Sequence, residues 1–205
     1  MMKKIDNTQT NKFLIGFTLI ELLVVITIIG ILASMILASL VSTKRGARDV
    51  RRISDVKQIG LALQIYLEGV GGGQYPVGNS TTCTAPQTPL LADDNYGLQV
   101  LVANGYITAV PRDPSNPAAC YRYTSGRING RRTTYQLSIV LEDPDNTAFS
   151  GDEDCSSDGV NTPNCAAGAT WEGAASNGND SIDCLAATVA GTDRCYDMTP
   201  QESVQ

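Results

Sequence analysis

Phe17-Thr18-Leu19-Ile20-Glu21-Leu22-Leu23-Val24-Val25-Ile26-Thr27-Ile28-Ile29-Gly30-Ile31-Leu32-Ala33-Ser34-Met35-Ile36-Leu37-Ala38-Ser39-Leu40-Val41 is a run of 25 residues carrying one charge, Glu21. At about 1.5 Å per residue it makes a helix of roughly 37 Å, enough to cross a hydrocarbon core of about 30 Å with some tilt. A buried core helix is the alternative, but 18 or more apolar residues read as a membrane span. Gly30, Ala33, Ser34, Ala38 and Ser39 leave room for close helix–helix approach. Glu21 is the anomaly, because an ionisable group in such a segment is expensive and demands a partner. If the chain were cut just before Phe17, the new amine would lie four residues from Glu21, one helical turn away on the same face.

Outward from this run the charge is uneven. Residues 1–16 carry Lys3, Lys4 and Lys12 against Asp6, whereas Glu142 to Gln205 holds 13 acidic residues and one basic residue, Arg194. The whole chain of 205 residues has a formal net charge of −6. It contains no histidine, which excludes a Ser-His or Cys-His pair and any His-ligated metal. No nucleophile motif is present either, so an enzyme is not expected. The acidic tail would repel phosphates, so direct nucleic-acid binding is not expected.

From Ser42 the apolar pattern becomes periodic. Val50, Ile53, Val56, Ile59, Leu63, Tyr66 and Leu67 recur at spacings of three and four, one face of an amphipathic helix continuing the first. Gly71-Gly72-Gly73 and then Pro76 stop it, giving an expected helix over 17–69. Lys44, Arg45, Arg48, Arg51 and Arg52 between the halves read as a solvated face, or as contacts to acidic surfaces of neighbouring subunits. Beyond the helix, Asp93, Asp94 and Asn95 offer an N-cap to a short helix through Leu98 and Val102 that Gly105 ends. Tyr121–Thr124 and Thr133–Leu141 read as strands, with Asn129-Gly130 a hairpin turn between them. The expected fold is α+β: a long N-terminal helix, membrane-spanning then amphipathic, packed on a small antiparallel sheet, with a loop-rich disulfide-braced tail.

Cys83, Cys120, Cys155, Cys165, Cys184 and Cys195 all follow the span. No CxxC spacing and no histidine accompany them, so disulfides are favoured over zinc. Fifteen pairings are possible; sequence proximity favours Cys83–Cys120, Cys155–Cys165 and Cys184–Cys195. Each would contribute about 2–4 kcal/mol in loops too polar to form a core.

The sequence Gly16-Phe17-Thr18-Leu19-Ile20-Glu21-Leu22-Leu23-Val24-Val25, behind a short basic leader, resembles the prepilin signal of type IV pilins and type II secretion pseudopilins. An ordinary signal peptide would place a small-residue cleavage site after its apolar stretch. The resemblance implies cleavage between Gly16 and Phe17 by a prepilin peptidase, N-methylation of Phe17, and a role for Glu21 in assembly. Ala38 stands where many members carry proline, so no kink is specified there. Leu63–Leu67 with Tyr75-Pro76, Gly97–Val102, Gly105–Ile107, Pro111–Pro114 and Tyr121–Tyr123 are similar to the heads of major type II pseudopilins. The six cysteines and the tail depart from them.

Together these readings divide the chain into a leader (1–16), a transmembrane half-helix (17–41), an amphipathic half-helix (42–70), a head (71–141) and an acidic Cys-containing tail (142–205). The resemblance implies a structural subunit of a type IV pilus-like filament; the alternatives are a pseudopilin of type II secretion, or a minor pilin for adhesion or DNA uptake. Its partners would be identical or homologous pilin subunits, the peptidase and the membrane assembly machinery. The precursor would sit single-pass in the cytoplasmic membrane with its head outside, then enter a surface filament. Charge bias around the span points the other way, but the leader and the cysteines argue for this orientation. Oxygen ligands from acids and backbone suit Ca²⁺. Residues Leu141–Asn146 and Ser150–Asp154 resemble the calcium loop of major pseudopilins, which implies Asp145, Asp152 and Asp154 as ligands; the competing reading is a solvated acidic loop.

Overall fold

The structure, a computed structural model, describes residues 17–78, 96–116, 120–157, 164–173, 184 and 194–200. It comprises two compact units, Met1–Ser42 and Thr43–Gln205. Helix α1 spans Leu19–Glu68. Its apolar N-terminal part is long and apolar enough to cross a membrane, and none of that window is buried. Its end is built by the glycines the sequence supplies: Gly71 N–H donates to Tyr66 O at 2.8 Å and Gly73 N–H to Leu67 O at 2.9 Å.

Within the second unit, α1 turns Val56, Ile59 and Leu63 wholly inward, with Ile53, Tyr66 and Leu67 half-buried around them. Burying each such aliphatic side chain contributes about 1.5–3 kcal/mol. Val50, expected on the same face, is instead 68% exposed. The buried stripe runs through Asp49, Arg52, Val56, Ile59 and Leu63, and at about 100° per residue Val50 lies roughly 100–180° from its members. The face therefore begins with charges.

A short helix α2 covers Gln99–Ala103 and buries Leu101. Its N-cap residue is Leu98, with no side-chain cap; the expected caps Asp93, Asp94 and Asn95 lie outside the described residues. Strands β1 (Arg122–Ile128) and β2 (Arg131–Val140) pair antiparallel. Asn129 and Gly130 join them with φ of 52° and 81°, the two positive values that a type I′ hairpin turn requires. Against the stretches expected from sequence, β1 starts one residue later and runs on to Ile128, while β2 starts earlier, at Arg131, and stops one residue short of Leu141.

The tail supplies the rest of the sheet. β3 (Thr170–Gly173) pairs with β1 and β4 (Cys195–Met198) with β2, giving the order β3-β1-β2-β4. The region expected to be loop-rich thus contributes two of the four strands. Along β2, Tyr135, Leu137 and Ile139 face the core with α1, and Tyr75 meets Tyr135 edge-on with ring centroids 4.8 Å apart. The alternate residues Thr134, Gln136 and Ser138 are buried too, because the tail covers them. Gln136 Nε2 donates to Cys155 O and to Asp197 Oδ2, each at 2.9 Å. On the same face Trp171 lies over Gly126, where a Cβ would fall 2.9 Å from the indole ring and 2.4 Å from Thr134. The structure joins Cys155 to Cys165 and Cys184 to Cys195, the pairs favoured by proximity. Cys120 is disulfide-bonded as well; Cys83 lies outside the described residues.

Candidate assembly interface

Thr18 precedes the first residue of α1, and three residues on stands Glu21. Thr18 N–H and Thr18 Oγ1 donate to Glu21 Oε2 at 2.9 and 2.7 Å, and Glu21 N–H donates to Thr18 Oγ1 at 3.3 Å. This is a capping box, in which two donors left over at a helix start are satisfied reciprocally. Its signal in the sequence is the Thr-x-x-Glu spacing. In the uncut chain the Phe17 nitrogen is an amide and cannot neutralise a carboxylate. The capping box thus gives Glu21 a partner before cleavage, while Phe17 itself is exposed. Gly16 and the leader lie outside the described residues.

Around Glu21 the walls are apolar: Phe17, Ile20, Val24 and Val25 line a shallow hollow of about 340 Å³ with it. Further along, Leu22, Leu23, Ile26, Ile28, Ile29, Ile31 and Leu32 are all exposed. Such a surface far exceeds the few hundred Å² of contiguous apolar patch that a soluble monomer tolerates. It requires lipid or other helices as its neighbours.

The second constellation centres on Arg52, which is 2% exposed. Its Nη1 donates to Asp49 Oδ1 at 2.6 Å, and its Nε and Nη2 donate to the two oxygens of Asp113 at 2.7 and 3.0 Å. Nη2 also donates to Ser115 Oγ and to Glu142 Oε1, both at 2.8 Å. Arg48 donates to the same carboxylate, through Nε at 2.7 Å and through Nη2. Fully buried Asp49 accepts from the backbone N–H of Glu142 and Asp143. The cluster therefore ties α1 to the Asp113 loop and to the end of β2.

Burial pushes the Asp113 carboxyl up, but hydrogen bonds from Arg52 and Ser115 outweigh it and hold it at about 2. The hydrogen bond from Arg48, assisted by Arg52, holds Glu142 at about 2. A general acid or base works best with a pKa near the operating pH; these carboxylates hold structure instead. Of the five cations read as a solvated or intersubunit face, Arg52 is buried and Arg48 is half-buried, both paired within the chain, while Lys44, Arg45 and Arg51 remain exposed.

The three acids proposed for calcium are not gathered together. Asp145 is exposed, with its N–H bonded to Asp143 Oδ1 at 3.1 Å; Asp154 is exposed with φ of 43°; Asp152 is half-buried. Among the described residues, one set of three acids or cysteines brings its ligand atoms within 4.8 Å, namely Cys155, Cys165 and Asp197. Its two sulfurs are consumed in a disulfide. As arranged, Asp145, Asp152 and Asp154 do not form a carboxylate cage.

Comparison with known proteins is consistent with the N-terminal features. The signature described as the prokaryotic N-terminal methylation motif matches residues 16–37. The chain is 37% identical over 102 residues to the type II secretion system core protein G of Escherichia coli, an alignment covering 48% of this chain and 65% of that protein. It is 33% identical over 103 residues to that of Aeromonas hydrophila, covering 50% and 68%. With the Klebsiella pneumoniae protein of the same name it shares 34% identity over 141 residues, 67% of this chain and 90% of the relative. The chain thus spans somewhat less than two thirds of the Escherichia coli relative and nine tenths of the Klebsiella pneumoniae one. No solved structure matches.

Proposed function

Because this chain belongs to the family of the type II secretion system core protein G, we propose that it is a structural pseudopilin, a subunit of a pilus-like filament that serves type II secretion. The family is structural, and the chain is not an enzyme. Of the two filament readings drawn from sequence, the relatives' names favour the secretion pseudopilus over a type IV pilus. The observation that carries the reading is the prepilin motif at the head of an exposed apolar helix.

In this reading a prepilin peptidase cuts between Gly16 and Phe17 and the Phe17 nitrogen is methylated. The new amine then competes with the Thr18 capping groups for Glu21. Neutralising that carboxylate removes the cost of keeping a charge among apolar helices. The apolar helices of identical or homologous subunits bundle, and the heads form the outside. The precursor is held in the cytoplasmic membrane with its head outside the cytoplasm. Calcium is a further proposal, resting on the acidity of residues 142–205. An ion there would need backbone oxygens or movement of Asp145, Asp152 or Asp154.

Two measurements test the reading. The intact mass of filament-derived chain should lack residues 1–16 and carry one added methyl group. Loss of this chain should block export of secreted proteins while leaving separate surface pili in place. A filament subunit that begins at Met1 or Met2, or unimpaired export, would overturn it.

A further inference from the structure

The two faces of the sheet in the second unit are covered by different segments. α1 packs on the face formed by Tyr123, Tyr135, Leu137 and Ile139. The tail covers the opposite face, where Gln136 binds Cys155 and Asp197. On the helix side Lys44, Arg48 and Arg51 follow one another at spacings of four and three, which places them in one stripe with Arg45 beside it. The ion pairs among the described residues consume Arg48 and Arg52 but none of Lys44, Arg45 and Arg51, all three exposed. On the tail side, Asp152-Glu153-Asp154 immediately precedes Cys155. Glu153 lines a hollow there with Thr134, Cys165 and Thr199.

We propose that the Lys44, Arg45 and Arg51 surface of one copy docks on Glu153 and Asp154 of the next. This rests on the filament reading and adds its electrostatic register. A contact between different faces of identical subunits is heterologous; repeated, it generates an open helical array rather than a closed dimer. Charge complementarity of this kind steers encounter and fixes register. It also offsets the self-repulsion of a tail with 13 acidic residues against one basic one.

The test mixes isotopically heavy and light chains already cut before Phe17, lets them assemble, and couples touching amines and carboxyls with a carbodiimide. The expected product is a heavy–light crosslink from Lys44 to Glu153 or Asp154. Arg45→Glu with Arg51→Glu should cut filament yield about fivefold, at equal levels of processed chain. Adding Glu153→Lys and Asp154→Lys should restore most of it. Filaments at normal yield in the arginine variant, or Lys44 crosslinks confined within single copies, would overturn the proposal. So would a variant that assembles normally but loses binding to phosphatidylglycerol vesicles, which would assign the surface to lipid headgroups. A wild-type chain cut before Phe17 that forms no filament would sink the assembly reading itself, and this docking with it.

Discussion

Replacing Arg52 by Met removes the guanidinium that joins Asp49, Asp113 and Glu142 but leaves an apolar side chain in its place. Asp49, wholly buried, then keeps two backbone donors and loses its cation; Asp113 keeps Ser115; Glu142 keeps Arg48. Holding Asp113 at about 2 rather than 3.8 is equivalent to about 2 kcal/mol at neutral pH. Glu142 loses less, because it is partly exposed and Arg48 remains. Breaking a buried ion pair from one side costs about 3–5 kcal/mol, so about 3 kcal/mol is expected at pH 7. For a unit of this size that is a drop of about 6–12 °C in melting temperature. The assay is urea unfolding of the full chain in detergent, followed by the fluorescence of its single tryptophan, Trp171 in β3. Both carboxyls are depressed in the folded state, so their contribution is complete above pH 4.5 and fades as pH falls towards about 2. The gap between wild type and Arg52→Met should close over that window. A penalty below about 1 kcal/mol at pH 7, the level of an ordinary surface ion pair, would refute the reasoning, as would a gap of equal size at pH 2 and pH 7.

Glu21→Ala is expected to leave insertion and cleavage intact while filament yield falls sharply; normal yield would remove Glu21 from assembly. Thr18→Val breaks the capping box but spares the carboxylate, so filaments should persist while the Glu21 amide exchanges about fivefold faster, as loss of an N-cap worth about 1 kcal/mol implies. Gly126→Ala forces a methyl against Trp171 and Thr134 and should cost about 1–3 kcal/mol in the same urea assay. Millimolar Ca²⁺ is expected to raise the melting temperature relative to chelator, with the increment lost in Asp145→Ala or in Asp152→Ala with Asp154→Ala; equal shifts in all three chains would misplace the site, and no shift in any would leave the loop a solvated surface.

Much of the fold was legible because its signals are local. The α1 periodicity, the glycines that end it and the Asn129-Gly130 turn each act through neighbouring residues. The tail strands were not legible. Thr170–Gly173 and Cys195–Met198 are four residues each, too short to show alternation within an acidic stretch. The burial of Gln136 and Ser138 was not legible either, because nothing nearby in sequence announces that the tail, with Cys155 and Asp197, will cover them. The Arg52 cluster was hidden for a similar reason: its partners stand 61 and 90 residues downstream, and a charge on a helix looks solvated until they are known. At the head of α1 the opposite error operated, since a striking carboxylate drew attention from the threonine three residues before it.

The tail strands impose an order of events during synthesis. β1 and β2 meet across two residues, whereas β4 must find β2 with Met198 opposite Leu137, across about sixty intervening residues. Loop closure of that length is slow, and its entropic cost precedes any reward from contacts. The β1–β2 hairpin can therefore dock on α1 while the tail is still being made. For that interval the far face of the sheet is bare, and what it shows to water is Thr124, Thr134, Gln136 and Ser138. Four aliphatic residues there would have made the half-finished chain a sticky sheet. The polar lining lets it wait.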